Sequence, residues 1–189
     1  MKFIIDAGHG GSGRNGDPGA IGPTGLMEKD VTLDIATRLA SIAMMRGHFP
    51  VLTRMRDEYQ SLKYRTDYAN REGGKCFVSI HCNSFTSPAP AGFEIWTYRG
   101  QNTSDTLASS ITHQWSKAFP SHLIRADWSD GDVDKESGFY VLKHTAMPAV
   151  LLETAFISNP KWEKWLREEG NLKKIAEVIL DGIEAWGGK

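Results

Sequence analysis

The sequence predicts an α/β fold: a single domain with a twisted, mostly parallel central sheet flanked by helices on both faces. Short apolar runs alternate along the chain with longer segments in which apolar residues recur every three or four positions, a pattern typical of strand–helix–strand units. The chain has 189 residues, and 40% of them are hydrophobic, which is enough to bury one core. We therefore predict one domain over residues 1–189.

The first half of the chain alternates strands with helices. A strand over residues 3–6 leads into a loop over residues 10–25 that holds seven glycines and two prolines. A loop of this length indicates either function or disorder, and its position beside His9 favours function. Apolar residues with helical spacing predict a helix over residues 28–46, which ends at Gly47. The next predicted elements are a strand over 51–53, a helix over 59–71 and a strand over 76–81.

The second half continues the alternation. After a strand over residues 92–98, Leu107, Ile111 and Trp115 repeat every four residues on a helix that Pro120 ends. Residues 121–138 are polar and without period, so we predict a surface loop. The remaining predicted elements are strands over 139–142 and 149–153 and a final helix with one apolar stripe of Leu172, Ile175, Ile179, Ile183 and Trp186.

Charge and cysteine usage exclude several classes of partner. The formal net charge is −1, from 22 basic and 23 acidic residues mixed along the chain, so we expect no nucleic-acid binding. Apolar stretches fall short of the roughly 20 residues that span a bilayer, so we expect no membrane insertion. We predict that the N-terminus is a core strand and not a signal peptide.

Cys76 and Cys82 lie about 20 Å apart on one predicted strand, which predicts two reduced thiols.

Four polar residues lie at the ends of predicted elements. His9, His81 and Glu153 each follow the apolar residues of a strand, and Glu28 begins a helix. In open α/β sheets functional sites gather beyond the carboxyl ends of the strands, so these side chains can converge. Two imidazoles and a carboxylate suit zinc with one open position. We therefore predict a hydrolytic zinc site.

Each residue also has a structural alternative. A single histidine at a strand end more often bonds to backbone than to a metal, and Glu28 on its own can be a helix-start carboxylate. Glu153 differs, because a carboxylate directly after four apolar residues is costly to bury unless it is paired or functional.

Other histidines and tryptophans are predicted to be structural. Most of the tryptophans recur at helical spacing and are predicted to pack in the core. Trp128 is the exception, because it lies in the polar loop, where stacking on a substrate is its alternative role. The histidines that we predict to be structural or on the surface are His48, His113, His122 and His144.

Four sequence blocks resemble a known family. They are IDAGHGG (5–11), GLMEKD (25–30), SIHCNS (79–84) and PAVLLETAFISNP (148–160). In order and spacing they resemble the zinc-dependent N-acetylmuramoyl-L-alanine amidases of the amidase-3 type, which occur in autolysins and phage endolysins. The resemblance implies that His9, Glu28 and His81 bind Zn²⁺ and that Glu153 is the catalytic carboxylate. Cys82 departs from the small residue usual there, and residues 121–138 match no block.

The function that the resemblance implies is zinc-dependent hydrolysis of the amide between the N-acetylmuramic acid lactyl group and L-alanine in peptidoglycan. Zinc would lower the pKa of a water, and Glu153 would take its proton and return it to the departing amine. Asp6 and Ser79 are candidates to support the ligands, with hydrogen bonding in the core or at the sheet edge as the alternative.

Two other functions remain open. A zinc peptidase or deacylase acting on another bond would share the chemistry, and a catalytically inactive wall-binding module would have no need of all four polar residues. We predict no separate cell-wall-binding domain. For the biological role we predict a phage endolysin that stays in the cytoplasm until its release and then acts on the cell wall, with a bacterial autolysin domain as the alternative.

Overall fold

A six-stranded sheet forms the centre of the molecule. The computed structural model describes residues 1–129 and 131–188. Its strands run in the spatial order β2-β1-β3-β6-β4-β5. The first four are parallel, β4 is antiparallel to β6, and β5 is parallel to β4, which confirms the predicted mostly parallel sheet. The strands are β1 (Lys2–Ala7), β2 (Phe49–Leu52), β3 (Phe77–Asn83), β4 (Glu94–Tyr98), β5 (Lys135–Ser137) and β6 (Ala149–Phe156).

Helices cover both faces of the sheet, as the sequence predicts. Alternate residues of a strand point to opposite faces, so Phe3 and Ile5 enter a large core with α1, α3 and α6, while Ile4 enters a smaller core with α2 and α4. The α-helices are α1 (Glu28–Met45), α2 (Leu62–Glu72), α3 (Thr103–Ala118), α4 (Tyr140–His144), α5 (Pro160–Leu166) and α6 (Glu169–Gly187).

The structure corrects the prediction in the region after α3. The strand predicted over residues 139–142 is wrong, because this segment forms helix α4, in which Val141 and Leu142 are buried. A short apolar run has no period that separates strand from helix. The loop predicted over residues 121–138 contains β5, whose three residues are all polar and therefore gave no strand signal.

Helix α5 was not predicted, although its first turn carries a recognisable signal. Pro160 occupies the first helical position, and the Asn159 side chain accepts a hydrogen bond from the backbone of Lys161. Helix α2 begins at Leu62 and not at residue 59, because Ser61 caps it by accepting from the Tyr64 N–H at 3.1 Å.

Two further predictions concern the cysteines and the membrane. Cys76 and Cys82 are both buried and free, as predicted. Across residues 1–129 and 131–188, none of the helices combines the length and apolar character that crossing a lipid bilayer requires.

Candidate metal centre

His9 lies in the loop that follows β1, with its backbone in an unusual conformation. Its φ is 61°, and among the described residues it is the only one other than glycine with a positive φ. This left-handed region is costly for most side chains, and such strain gathers at functional sites. The Arg65 guanidinium fixes the turn by donating to the His9 carbonyl at 2.6 Å. The loop is thereby held in the conformation that aims the imidazole.

Glu28 joins the two predicted histidine ligands. Its Oε1 lies 3.1 Å from His9 Nε2 and 2.9 Å from His81 Nδ1. One donor atom from each of the three residues lies within 4.8 Å of the others. The backbone N–H groups of Cys82 and Ala20 donate to the two carboxylate oxygens at 2.9 and 2.8 Å, so the carboxylate has a fixed orientation. The structure therefore brings the three predicted ligands together.

Charge pairing dominates the electrostatics of this cluster. Burial raises the pKa of Glu28, but the hydrogen bonds and positive charges of His81 and His9 outweigh burial and hold that pKa well below its usual range. Burial lowers the pKa of His9, yet Glu28 and Asp17 outweigh it and raise the pKa above its usual value. Glu28 therefore stays ionised and is an oxygen donor at neutral pH.

Asp17 also belongs to the site, although it is not among the predicted site residues. Its Oδ2 lies 2.8 Å from His9 Nδ1, and its Oδ1 accepts from the Gly19 N–H at 3.0 Å. A carboxylate on the far nitrogen of a ligating histidine fixes the tautomer and the ring orientation. Backbone pairing between Gly10 and Asp17 closes the loop and brings the carboxylate there.

Two glycines leave space for the ligands. A Cβ atom at Gly8 would overlap the ring of His81, and one at Gly19 would lie 2.6 Å from Glu28 Oε2 and 2.7 Å from His9 Cδ2. Gly19 also has a positive φ of 66°. The glycine-rich sequence of this loop is thus required partly by the close approach of backbone to the three ligands.

Glu153 lies next to the cluster on strand β6. It is the register partner of His81 in the neighbouring strand, and it lies inside β6, three residues before the strand ends. Its Oε2 is shielded from solvent and has no hydrogen-bond partner within the described residues. Burial, reinforced by the negative charges of Glu28 and Glu94, raises the pKa of Glu153 well above its usual value. A shielded carboxylate oxygen without a partner beside a cavity is typical of an acid–base group.

A cavity of about 230 Å³ opens in front of these side chains. His9, His81 and Glu153 lie on its wall, together with Asp17. The rest of the lining includes three aromatic side chains, from Tyr59, Phe139 and Tyr140. Three of the four predicted site residues therefore line one cavity.

Asp6 and Ser79 bond to each other and not to the ligand side chains. Asp6 accepts from Ser79 Oγ at 2.7 Å, from Thr53 Oγ1 at 2.6 Å and from Arg65 Nη1 at 2.7 Å. Arg65 is also the donor to the His9 carbonyl. Asp6 therefore supports the site indirectly, by holding the guanidinium that fixes the His9 turn. Both predicted roles of Asp6 apply, since its hydrogen bonds lie in the core and also support a predicted ligand.

The remaining histidines lie outside the cluster, as predicted. His48 binds the N-terminal amine at 3.1 Å and Glu184 at 2.8 Å, His122 stacks on Phe119, and His144 stacks on Tyr140. Trp128 is exposed and lines a second cavity beside α3, which does not include Glu153. The substrate-stacking role of Trp128 therefore gains no support at the predicted reaction centre.

The donor set fits zinc. Tetrahedral ligands at roughly 2.0–2.1 Å from a zinc ion lie about 3.3 Å from one another. The distances of 2.9 and 3.1 Å from Glu28 Oε1 to the two histidines are close to that spacing. Two imidazole nitrogens and one carboxylate oxygen leave the fourth position for water or substrate.

Comparisons with known proteins agree on one family. The model of the N-acetylmuramoyl-L-alanine amidase family matches residues 3–185. N-acetylmuramoyl-L-alanine amidase LytC of Bacillus subtilis is 39% identical over 187 residues, which is 97% of this chain. AmiC of Escherichia coli, also named an N-acetylmuramoyl-L-alanine amidase, is 32% identical over 225 residues and 98% of this chain. The structure of amidase AmiC2 of Nostoc punctiforme superposes with a TM-score of 0.88 at 32% identity, covering 100% of this chain and 98% of that one.

The matched region is a part of the longer relatives. The chain spans 35% of the length of LytC and 52% of the length of AmiC. The AmiC2 chain, in contrast, is matched almost from end to end. The likeness therefore concerns the segment that contains all four predicted site residues.

Proposed function

Because this chain belongs to the N-acetylmuramoyl-L-alanine amidase family, we propose that it hydrolyses the amide bond between the lactyl group of N-acetylmuramic acid and L-alanine in peptidoglycan. The observation that carries the proposal is the convergence of His9, Glu28 and His81 in one cluster, whose two histidines line the same cavity as Glu153. The Oε2 of Glu153 has no hydrogen-bond partner among the described residues. The three nitrogen and oxygen donors form a metal site, and the fourth residue is an acid–base group.

Zinc is the metal that we propose for this site. His9, Glu28 and His81 would hold it, and Asp17 would orient His9 through its far nitrogen. When bound, Zn²⁺ supplies a Lewis acid that lowers the pKa of water and polarises a carbonyl. The low pKa of Glu28 and the backbone donors of Cys82 and Ala20 keep the carboxylate ionised and oriented for this task.

Glu153 is the residue that we propose to move the proton. Its shielded Oε2, which has no partner among the described residues, suits a group that accepts a proton from the attacking water and gives it to the departing amine of L-alanine. The register with His81 keeps it on the same side of the sheet as the ligands. Proton transfer can then occur without movement of the backbone.

The decisive experiment is product analysis of digested peptidoglycan together with metal analysis of the purified protein. An amidase releases peptides with a new N-terminal alanine and leaves glycan with a free lactyl carboxylate, and we expect one zinc per chain. A new amine at any other residue of the stem peptide would support the zinc peptidase alternative. Full-length peptides that stay on the glycan would support the inactive wall-binding module.

For the biological setting we propose cell-wall cleavage by a bacterial enzyme. This is the bacterial autolysin domain that was the alternative to a phage endolysin. The support is that the two relatives described above come from Bacillus subtilis and Escherichia coli. The phage endolysin role, the single-domain organisation of the complete protein and retention in the cytoplasm before release stay predictions. Lysis of cells when the chain is expressed with a membrane-permeabilising protein, but not alone, would favour the phage role.

A further inference from the structure

A second group of carboxylates lies far from the metal centre. Asp105 is in the first turn of α3, and Asp132 and Asp134 belong to the segment that leads into β5. One carboxylate oxygen of each lies within 4.8 Å of the others. The neighbouring Ser104 accepts from the N–H of Ala149, the first residue of β6, so this group lies at the opposite end of the sheet from Glu153.

Asp134 is the most deeply buried member of the group. Only 2% of its surface is exposed. Its Oδ2 accepts from Thr97 Oγ1 at 2.6 Å, whereas its Oδ1 is shielded from solvent and has no hydrogen-bond partner in the described part of the chain. A buried carboxylate oxygen without a partner costs free energy, and buried carboxylates are as a rule paired or bound to a metal.

Asp132 repeats this arrangement. Its Oδ2 accepts from Gln101 Nε2 at 2.9 Å, and its Oδ1 is shielded and unpartnered within residues 1–129 and 131–188. Over the same residues, neither Asp132 nor Asp134 forms an ion pair with lysine or arginine. Burial, Asp132 and Asp105 together raise the pKa of Asp134 to about 7. Asp132 and Asp134 therefore have no lysine or arginine side chain paired with them among these residues.

We propose that Asp105, Asp132 and Asp134 bind one calcium ion that fastens the segment before β5 to the beginning of α3. The donors are carboxylate oxygens, which suit hard cations such as Ca²⁺, and the group contains no nitrogen or sulfur donor that would favour zinc. Calcium accepts irregular geometry and completes its shell with water, so three side chains from a loop and a helix suffice. This inference is independent of the proposed amidase activity.

The bound ion would stabilise the folded state. It would give the unpartnered Oδ1 atoms of Asp132 and Asp134 a positive partner, and it would compete with the proton for Asp134. A ligand that binds only the folded protein raises its melting temperature with concentration. The expected rise is about 3–8 °C at 10 mM Ca²⁺ for an affinity typical of weak calcium sites.

The test uses the full chain with its zinc site saturated, titrated with CaCl₂ in a calorimeter and followed in parallel by thermal unfolding. We expect one Ca²⁺ per chain in the wild type, and loss of both binding and the temperature shift in Asp132→Asn and Asp134→Asn. The matched control is Asp127→Asn, an exposed aspartate of the same region that bonds to the Ser129 N–H, and it should bind Ca²⁺ like the wild type.

Two results would overturn the proposal. One is the absence of saturable Ca²⁺ binding to the wild type at up to 10 mM. The other is a rise in melting temperature in metal-free Asp134→Asn while the wild type does not respond to Ca²⁺, which would mean that the carboxylates share a proton and bind no ion. The variant His9→Ala should keep Ca²⁺ binding, so the outcome is separate from that of the zinc site.

Discussion

His81 and Glu153 are register partners on the adjacent parallel strands β3 and β6. Partners in a ladder point to the same face of a sheet, so the ring that contacts Glu28 and the carboxylate that has no partner face the same cavity. The position of Glu153 relative to the proposed metal ligand His81 is therefore set by the hydrogen-bonded ladder of the sheet. Because the backbone sets this position, the role of Glu153 can be tested by changing its side chain without disturbing His9, Glu28 or His81.

Glu153→Gln should lower activity on peptidoglycan about 10²-fold or more. Glutamine keeps the size and the hydrogen-bonding capacity of the side chain but cannot accept a proton from water. Because the lost interaction belongs to the transition state, kcat should fall more than the affinity for substrate. The measurement is steady-state hydrolysis of purified peptidoglycan, with zinc content determined on the same sample.

Zinc content decides how a loss of activity in Glu153→Gln is interpreted. Retained zinc agrees with a role in proton transfer. Concurrent loss of zinc would make Glu153 a ligand, and unchanged kcat would make its burial a purely structural feature.

His9→Ala and His81→Ala should each remove most of the bound zinc together with most of the activity. Each substitution deletes one of the three protein donors, which are His9, Glu28 and His81. The matched control is His144→Ala, because His144 stacks on Tyr140 outside the cluster. Metal content by mass spectrometry and hydrolysis by product release should fall together in the first two variants, and the control should keep its metal content. Loss of zinc in the control alone would show that the ligand assignment is wrong.

The convergence of His9, Glu28 and His81 could be predicted because each residue follows from a local signal. His9 and His81 come after or within apolar strand segments, Glu28 begins a helix, and the topology of an open sheet brings such positions to one edge. Asp17 could not be predicted in the same way. Its contact with His9 exists only because the loop closes through pairing of Gly10 with Asp17, and spacing along the chain does not encode that closure.

The contacts of Arg65, like those of Asp17, could not be predicted from the sequence. It lies in α2, yet it donates to the carbonyls of Ala7 and His9 in a different part of the chain. No periodicity or motif near Arg65 indicates that contact, because it depends on how α2 packs against the sheet. The error at α4 has the same origin, since the burial of Val141 and Leu142 against the sheet fits either a strand or a helix.

Asp17→Asn should weaken zinc binding about 10–100-fold, the cost typical of removing a partner of a ligating histidine. The amide can still accept from the Gly19 N–H, so the loop should keep its shape, while the charge that holds the His9 ring is lost. Competition with a zinc-binding dye measures the affinity. Asp127→Asn, which removes an exposed aspartate outside the site, should bind zinc like the wild type.

Gly19→Ala should lose zinc and activity, whereas Gly25→Ala should keep both. Both glycines have a positive φ, 66° and 89°, so alanine is strained at either position by about 1–2 kcal/mol. Only Gly19 is also crowded, since its Cβ would lie 2.6 Å from Glu28 Oε2. A Cβ at Gly25 would have no described atom within 4 Å apart from those of its chain neighbours. Zinc content and melting temperature of the two variants separate crowding of the ligands from backbone strain. Equal zinc loss in both would assign the effect to strain alone.

Asp6→Asn should reduce stability at neutral pH and have little effect in acid. Burial raises the pKa of Asp6, but the Arg65 charge and the hydrogen bonds of Thr53, Arg65 and Ser79 outweigh it and lower the pKa below 3.8. A lowered pKa in the folded state contributes stability that is fully present above the unfolded pKa and is lost as the pH falls through the folded value.

The loss in Asp6→Asn at pH 7 should be about 3 kcal/mol, since it leaves the buried guanidinium of Arg65 without its counter-ion. Urea denaturation of wild type and variant between pH 7 and pH 3 measures the difference, which should narrow below about pH 4 as the wild-type carboxylate is protonated. Asp34→Asn is the control, because the Asp34–Arg38 pair is exposed to solvent and should contribute under about 0.5 kcal/mol at any pH. A constant difference across the whole pH range would mean that Asp6 stabilises the fold through packing and hydrogen bonds and not through its charge.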